Sequence, residues 1–283
     1  MPENENRHAK ILIGLDGSRP SKSAAKCAVQ LAQNLNLTIH GIFIVDEAIV
    51  MGPYEYYKAE LGIAETPASQ AELVQWFEIF GEREIHWLEG LCHTAHVPVT
   101  TSLLFGGVIE CILENADESQ FLVLGRRGNS HTGDAHHLGQ YFQSIAHRAQ
   151  VPILVGGNQH RYIEQILLAY DGSRAALSAL KWGVRFQQAM HCRVSTVVVN
   201  ENSEPLPKWR NQIEQKLHAA GLENYDLLLK QTDPVEGILE AAKNVQADLI
   251  VMGKYRHARL RQWLFGSKVD RVLDQTQRPV WLA

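Results

Sequence analysis

Two rhythms of apolar and polar positions alternate along the chain. Short unbroken apolar runs occur at residues 121–124, 153–155, 249–252 and 280–282. They have strand length and no polar side, as strands covered on both faces of a parallel sheet do. Between such runs, apolar residues recur at helical spacing. Ala24, Cys27, Ala28, Leu31, Ala32 and Leu35 form one stripe. Leu73, Trp76, Phe77, Phe80, Ile85, Leu88 and Leu91 form another along residues 71–92. Further strands are expected at residues 11–15, 39–45 and 100–104, with a helix through Ile109, Ile112 and Leu113. Strand and helix alternating in this way predict an α/β fold with a parallel sheet.

The pattern runs twice. Ile11-Leu12-Ile13-Gly14-Leu15-Asp16-Gly17-Ser18 is echoed by Ile166-Leu167-Leu168-Ala169-Tyr170-Asp171-Gly172-Ser173, 155 residues later. Phe121-Leu122-Val123-Leu124-Gly125-Arg126-Arg127-Gly128 and Asp248-Leu249-Ile250-Val251-Met252-Gly253-Lys254 both run from strand to glycine to basic loop. So long an offset predicts two tandem domains, at residues 1–157 and 163–283, and not a solenoid. Strand, glycine, loop and helix N-terminus in succession suit an anion, because the first helical N–H groups lack partners and glycine lets backbone come close. In each Asp-Gly-Ser turn the aspartate serves as a turn or cap residue, or as a carboxylate at the rim of a crevice beyond the strands.

Composition narrows the classes. A length of 283 residues suits two domains with cores of their own, and a net charge of −4 gives no general attraction to nucleic acid or an anionic membrane. No apolar run reaches spanning length, and the polar start, residues 1–6, lacks a signal core. Cys27, Cys92, Cys111 and Cys192 are scattered, as expected of reduced thiols in a cytoplasmic protein.

These motifs make each half resemble a universal stress protein domain, and the whole a tandem universal stress protein. The resemblance implies two doubly wound, Rossmann-like parallel-sheet domains and a site for ATP or another adenine nucleotide, with Mg as an optional companion ion. The family's nucleotide motif is glycine, two residues, glycine, nine residues, glycine, then serine or threonine. In the first half Gly125 and Gly128 match, but ten residues precede Gly139 and Gln140 takes the hydroxyl position. In the second half Gly253, Gly266 and Ser267 are correctly spaced, with Arg256 at the second glycine. The resemblance also sets Asp16 and Asp171 beside the nucleotide, and Val45, with Asn200 as its counterpart, at the adenine through its backbone. Lys254, Arg256, Arg259 and Arg261 could neutralise phosphates. In the family the terminal edge strands pair two domains side by side. That pairing is expected within this chain, with a homodimer left open.

The halves differ most at about residues 46–95. Asp16 to Gly139 spans 123 residues and Asp171 to Gly266 spans 95, so the first domain carries an insertion of about 28, read as core helix plus loop or as a lid or partner surface. His131, Asp134, His136 and His137 fall close together, but their spacing matches no recognised zinc motif and a solvated loop is expected. Two functions stay open: a nucleotide-binding stress-response regulator, or a nucleotide-free interaction module with degenerate sites. An enzyme is a third reading with little behind it, since neither a G-x-S-x-G elbow nor a Walker lysine motif occurs.

Overall fold

The apolar runs become the strands they predict. A computed structural model describes residues 9–51, 69–126, 140–158, 160–199, 206–254 and 268–283, the side chains of residues 140 and 206–209 excepted. The chain divides into two compact units, residues 1–160 and 161–283.

Unit 1 runs β1 (Lys10–Leu15), α1 (Arg19–Leu35), β2 (Thr38–Asp46), α2 (Glu47–Met51), α3 (Gln70–Thr94), β3 (Val99–Gly106), α4 (Val108–Ala116), β4 (Phe121–Leu124), α5 (Gln140–Arg148) and β5 (Ile153–Val155). Its strands lie in the order β3-β2-β1-β4-β5, every described pairing parallel. Unit 2 runs β6 (Gln165–Ala169), α6 (Arg174–Met190), β7 (Arg193–Val199), α7 (Leu206–Ala219), β8 (Tyr225–Lys230), α8 (Pro234–Asn244), β9 (Leu249–Met252), α9 (Lys268–Gln275) and β10 (Val280–Leu282). Its order, β8-β7-β6-β9-β10, repeats the first with parallel pairing again. In both, strand order reverses between the first and fourth strands, which opens a crevice at their carboxyl ends.

Local chemistry explains the helix ends. Ser18 caps α1, its hydroxyl accepting from Ser21 N at 3.2 Å, and Pro20 sits in the first turn, where no N–H is missed. Ser173 does the same for α6, accepting from Ala176 N at 3.1 Å. Asp233 caps α8 ahead of Pro234. The stripe on α1 is buried against the sheet, Ala24, Cys27, Ala28 and Leu31 being wholly inaccessible.

Both first helices end on a residue in the left-handed region, Asn36 (φ 53°) and His191 (φ 52°), the same offset apart as the aspartates. Asparagine accepts that conformation more readily than histidine. His191→Gly is therefore expected to stabilise unit 2 by about 1 kcal/mol, read as a rise in denaturation midpoint, with Asn36→Gly gaining less.

The inserted residues resolve into α2 and a lengthened helix. α3 has 25 residues where α7 has 14. The rest, residues 52–68, lies outside the described residues. Among the described residues no helix is long and apolar enough to cross a membrane. No disulfide joins the four cysteines; burial pushes the Cys92 and Cys192 thiols up to about 11.

Candidate functional site

Asp16 stands just past β1. Its Oδ1 accepts from Ser18 N at 2.8 Å, which makes the tight turn, with Gly17 at φ 76°. The other carboxylate oxygen faces β4: a Cβ on Gly125 would lie 3.3 Å from Asp16 Oδ2, 3.3 Å from Ser18 Oγ and 3.0 Å from Ser21 N. The structure thus brings Asp16 and Gly125 together at the reversal point. It also shows that glycine at 125 is demanded by the approach of the α1 N-terminus. Gly253 repeats this more tightly, since a Cβ there would lie 2.7 Å from the Ala175 carbonyl carbon and 2.9 Å from Ala176 N.

Val45 has a fully buried side chain near the end of β2. The ladder from β1 stops at Phe43, whereas the ladder to β3 continues to Asp46. Val45 and Asp46 therefore overhang β1 at the crevice. Asp46 is only 5% exposed. Its Oδ1 accepts from Ala48 N at 2.9 Å, and its Oδ2 accepts from the Tyr141 hydroxyl, one residue into α5. In the sequence Asp46 shows only as a strand end, and Tyr141 carries no signal of its own. An acid at the close of a second strand was the available signal.

The two Asp-Gly-Ser turns, alike in sequence, sit in different surroundings. In unit 1, α3 lies over the turn. A Cβ on Gly17 would meet Phe80 Cζ at 2.5 Å and Glu84 Cδ at 3.4 Å. Phe80 stacks on Trp76 with ring centroids 5.3 Å apart. Glu84 is 2% exposed and paired with Lys22 at 2.9 Å and Arg83 at 3.3 Å. In unit 2, Asp171 is exposed and makes the same turn with Ser173 N at 2.9 Å. Among the described residues nothing lies within 4 Å of a Cβ placed on Gly172.

This difference sets the protonation of Asp16. Burial, chiefly, raises its carboxyl above the ordinary 3.8, and the neighbouring Glu84 charge adds to the rise, against hydrogen bonds from Ser18 and Ser21. The folded state therefore holds this proton more tightly than the unfolded chain. The stabilisation is complete below 3.8 and is lost as pH climbs through the folded value. Asp16→Asn should stabilise the protein relative to wild type progressively as pH rises from about 4 to 7. Parallel melting curves for the two proteins across that range would refute the assignment.

Lys254 follows Gly253, its N–H donating to Ala283 O at 2.7 Å. Burial brings its ammonium down to about 8. Asn200, Arg256, Gly266 and Ser267 in the second half, and Gly128 and Gly139 in the first, lie outside the described residues, as do Arg259, Arg261 and the His131–His137 loop. Gln140 is described as the first residue of α5, its side chain excepted.

The doubled crevice, with an aspartate turn facing a strand-end glycine, agrees with what the chain resembles. The family model for the universal stress protein family matches twice, at residues 8–155 and 163–283. The chain belongs to the universal stress protein family. A universal stress protein of Mycolicibacterium smegmatis is 25% identical over 291 residues, covering 95% of each chain. Another, from Synechocystis sp., is 26% identical over 178 residues, covering 62% of this chain and 61% of its own length. Among solved structures, a universal stress protein from Archaeoglobus fulgidus matches 97% of each chain at 17% identity with a TM-score of 0.75, a likeness of fold. The tandem universal stress protein fold is thereby confirmed.

Proposed function

We propose that this universal stress protein binds ATP or a related adenine nucleotide, in unit 2 first, and that occupancy rather than turnover is its regulatory output. The observation that carries the reading is the exposed Asp171-Gly172 turn, where among the described residues nothing lies within 4 Å of a Cβ placed on Gly172, in contrast to the turn that α3 covers in unit 1. Asp171 would hold the ribose end, backbone at Gly253 would approach the phosphates, and Lys254 would offset their charge. Asn200, Arg256, Gly266 and Ser267 complete the expected set. Unit 1 carries the parallel set Asp16, Val45, Gly125, Gly128, Gly139 and Gln140. ATP would supply the anionic charge to which these groups respond, with or without Mg.

Lys254 makes the reading testable by proton count. An anion beside an ammonium that titrates near 8 draws a proton onto it. Binding at about pH 8.5 should therefore take up protons, and affinity should weaken as pH rises past the free value, if Lys254 faces the phosphates. Calorimetry in buffers of different ionisation enthalpy measures the uptake, which Lys254→Met should abolish. No ATP binding at about 1 mM, or about −4 kcal/mol, would sink the proposal.

The interaction-module reading has its own support. Met51, Ile79 and Phe105, all in unit 1, are 70%, 61% and 51% exposed. A protein-binding face would gather such residues into one contiguous patch. It predicts that Ile79→Glu abolishes partner capture and leaves ATP titrations unchanged.

A further inference from the structure

β3 (Val99–Gly106) ends the sheet of unit 1. It pairs with β2 on one side, and among the described residues nothing pairs with it on the other. The ladder tells which residues face the open side. Ile39 is level with Val99, and its N–H donates to Pro98 O at 2.9 Å. In a parallel ladder the bonds to one neighbour come from alternate residues, so Pro98, Thr100, Ser102, Leu104 and Gly106 turn their backbone groups to β2. The N–H and C=O groups of Val99, Thr101, Leu103 and Phe105 point outward. Sheets ordinarily guard such an edge with charge, proline, a bulge or a short strand. β8, the edge of unit 2, has six residues with Asp226 and Lys230 among them, and Lys230 is paired with Glu240 at 2.8 Å. β3 has eight residues and neither a charge nor a proline. Its threonine hydroxyls are occupied within unit 1: Thr100 Oγ1 lies 2.9 Å from His40 Nδ1, and Thr101 Oγ1 donates to Glu89 at 2.8 Å. Phe105 is exposed, and Leu103 and Leu104 are half-buried.

The strand is also its own complement. Two copies set antiparallel about Ser102 bring Val99 opposite Phe105 and Thr101 opposite Leu103, and this register engages all four outward residues of each strand. Thr100 then stands opposite Leu104, and Ser102 opposite Ser102, so no charge meets a like charge within the pair of strands. Aromatic against β-branched, as at Phe105 and Val99, is a favoured cross-strand pair. A two-fold axis lets the same patch serve both subunits, as in most homodimers. We propose that the open edge of β3 binds a second copy of this chain, β3 against β3 and antiparallel about Ser102, so that the unit 1 sheet continues from one subunit into the next. The inference is independent of nucleotide binding.

Sedimentation velocity of the full chain at about 50 μM, well above a micromolar dissociation constant, should give a dimer. Ser102→Asp and Ser102→Lys each set like charges face to face across the axis. Each should raise the dimer dissociation constant by about tenfold or more, and an equimolar mixture of the two should regain the dimer. Leu103→Pro removes an outward N–H and leaves the β2 ladder whole, so it should give a monomer with an unchanged circular dichroism spectrum. Ser102→Cys reads the register. Residues directly opposite in the position without hydrogen bonds lie about 4.5 Å apart at Cα, within disulfide reach. Under mild oxidation Ser102→Cys should cross-link into a covalent dimer and wild type should not. Thr100→Cys should cross-link only when mixed with Leu104→Cys. A wild-type monomer at that concentration would overturn the proposal and leave the edge to a strand of another protein or to none. A wild-type dimer that ignores the Ser102 charges, or gives no Ser102→Cys cross-link, would overturn it as well, because the contact then lies elsewhere.

Discussion

Gly156→Ala is expected to destabilise unit 1 by about 3 kcal/mol, one of the two largest effects foreseen for a single methyl or small side chain in this protein. A Cβ at residue 156 would lie 2.1 Å from Pro20 O and 2.9 Å from Pro20 C, both backbone, and 3.0 Å from Ala24 Cβ. Backbone cannot swing aside as a side chain can. Gly156 is also held in place, its N–H donating to Leu124 O at 2.9 Å. Relief must come from α1 retreating from the ends of β4 and β5. The urea midpoint should fall by about 1–2 M for a typical slope of denaturation. Hydrogen exchange should quicken at β4 and β5 before unit 2 responds. An unchanged midpoint would mean that α1 does not press on the strand ends in this way.

Gly253→Val should weaken ATP binding at unit 2 by tenfold or more and destabilise that unit by about 2 kcal/mol. The added Cβ would enter the first turn of α6, 2.7 Å from the Ala175 carbonyl carbon and from Ala175 Cβ. The helix start carries the Asp171-Gly172-Ser173 turn with it, so the proposed nucleotide contacts shift together. Gly172→Ala is the control. Its φ of 77° disfavours alanine, yet a Cβ there meets nothing among the described residues. It should lower stability by about 1 kcal/mol while keeping Gly253 and α6 where they are. Wild-type affinity in Gly253→Val would place any nucleotide away from this crevice.

What was legible in the sequence is what the chain settles over a few residues. Apolar runs gave the strands, Ser18 and Ser173 gave the caps, and the repeat of Asp16 at Asp171 gave the doubling. Illegible features depend on segments that meet only after folding. Glu84 reads as one more polar position on an amphipathic helix. Its burial follows from Lys22 and Gly17, more than sixty residues earlier, arriving beside it. Asp46 reads in sequence as the end of a strand because the overhang past β1 depends on where the β1 ladder stops, and its partner Tyr141 lies 95 residues away. In sequence Asp16 and Asp171 are equivalents. Local chemistry keeps them so, and the lengthened α3 separates them.

The helix α3 also couples two properties that a designer would want to adjust apart. Phe80 shelters the Gly17 turn and Glu84 adds a like charge beside Asp16, from successive turns of one helix. Shortening that helix to the length of α7 would strip both at once, and the first copy would come to mimic the second. Transplanting it the other way, onto α7, would be the direct route to a chain whose two halves both keep their aspartate sheltered.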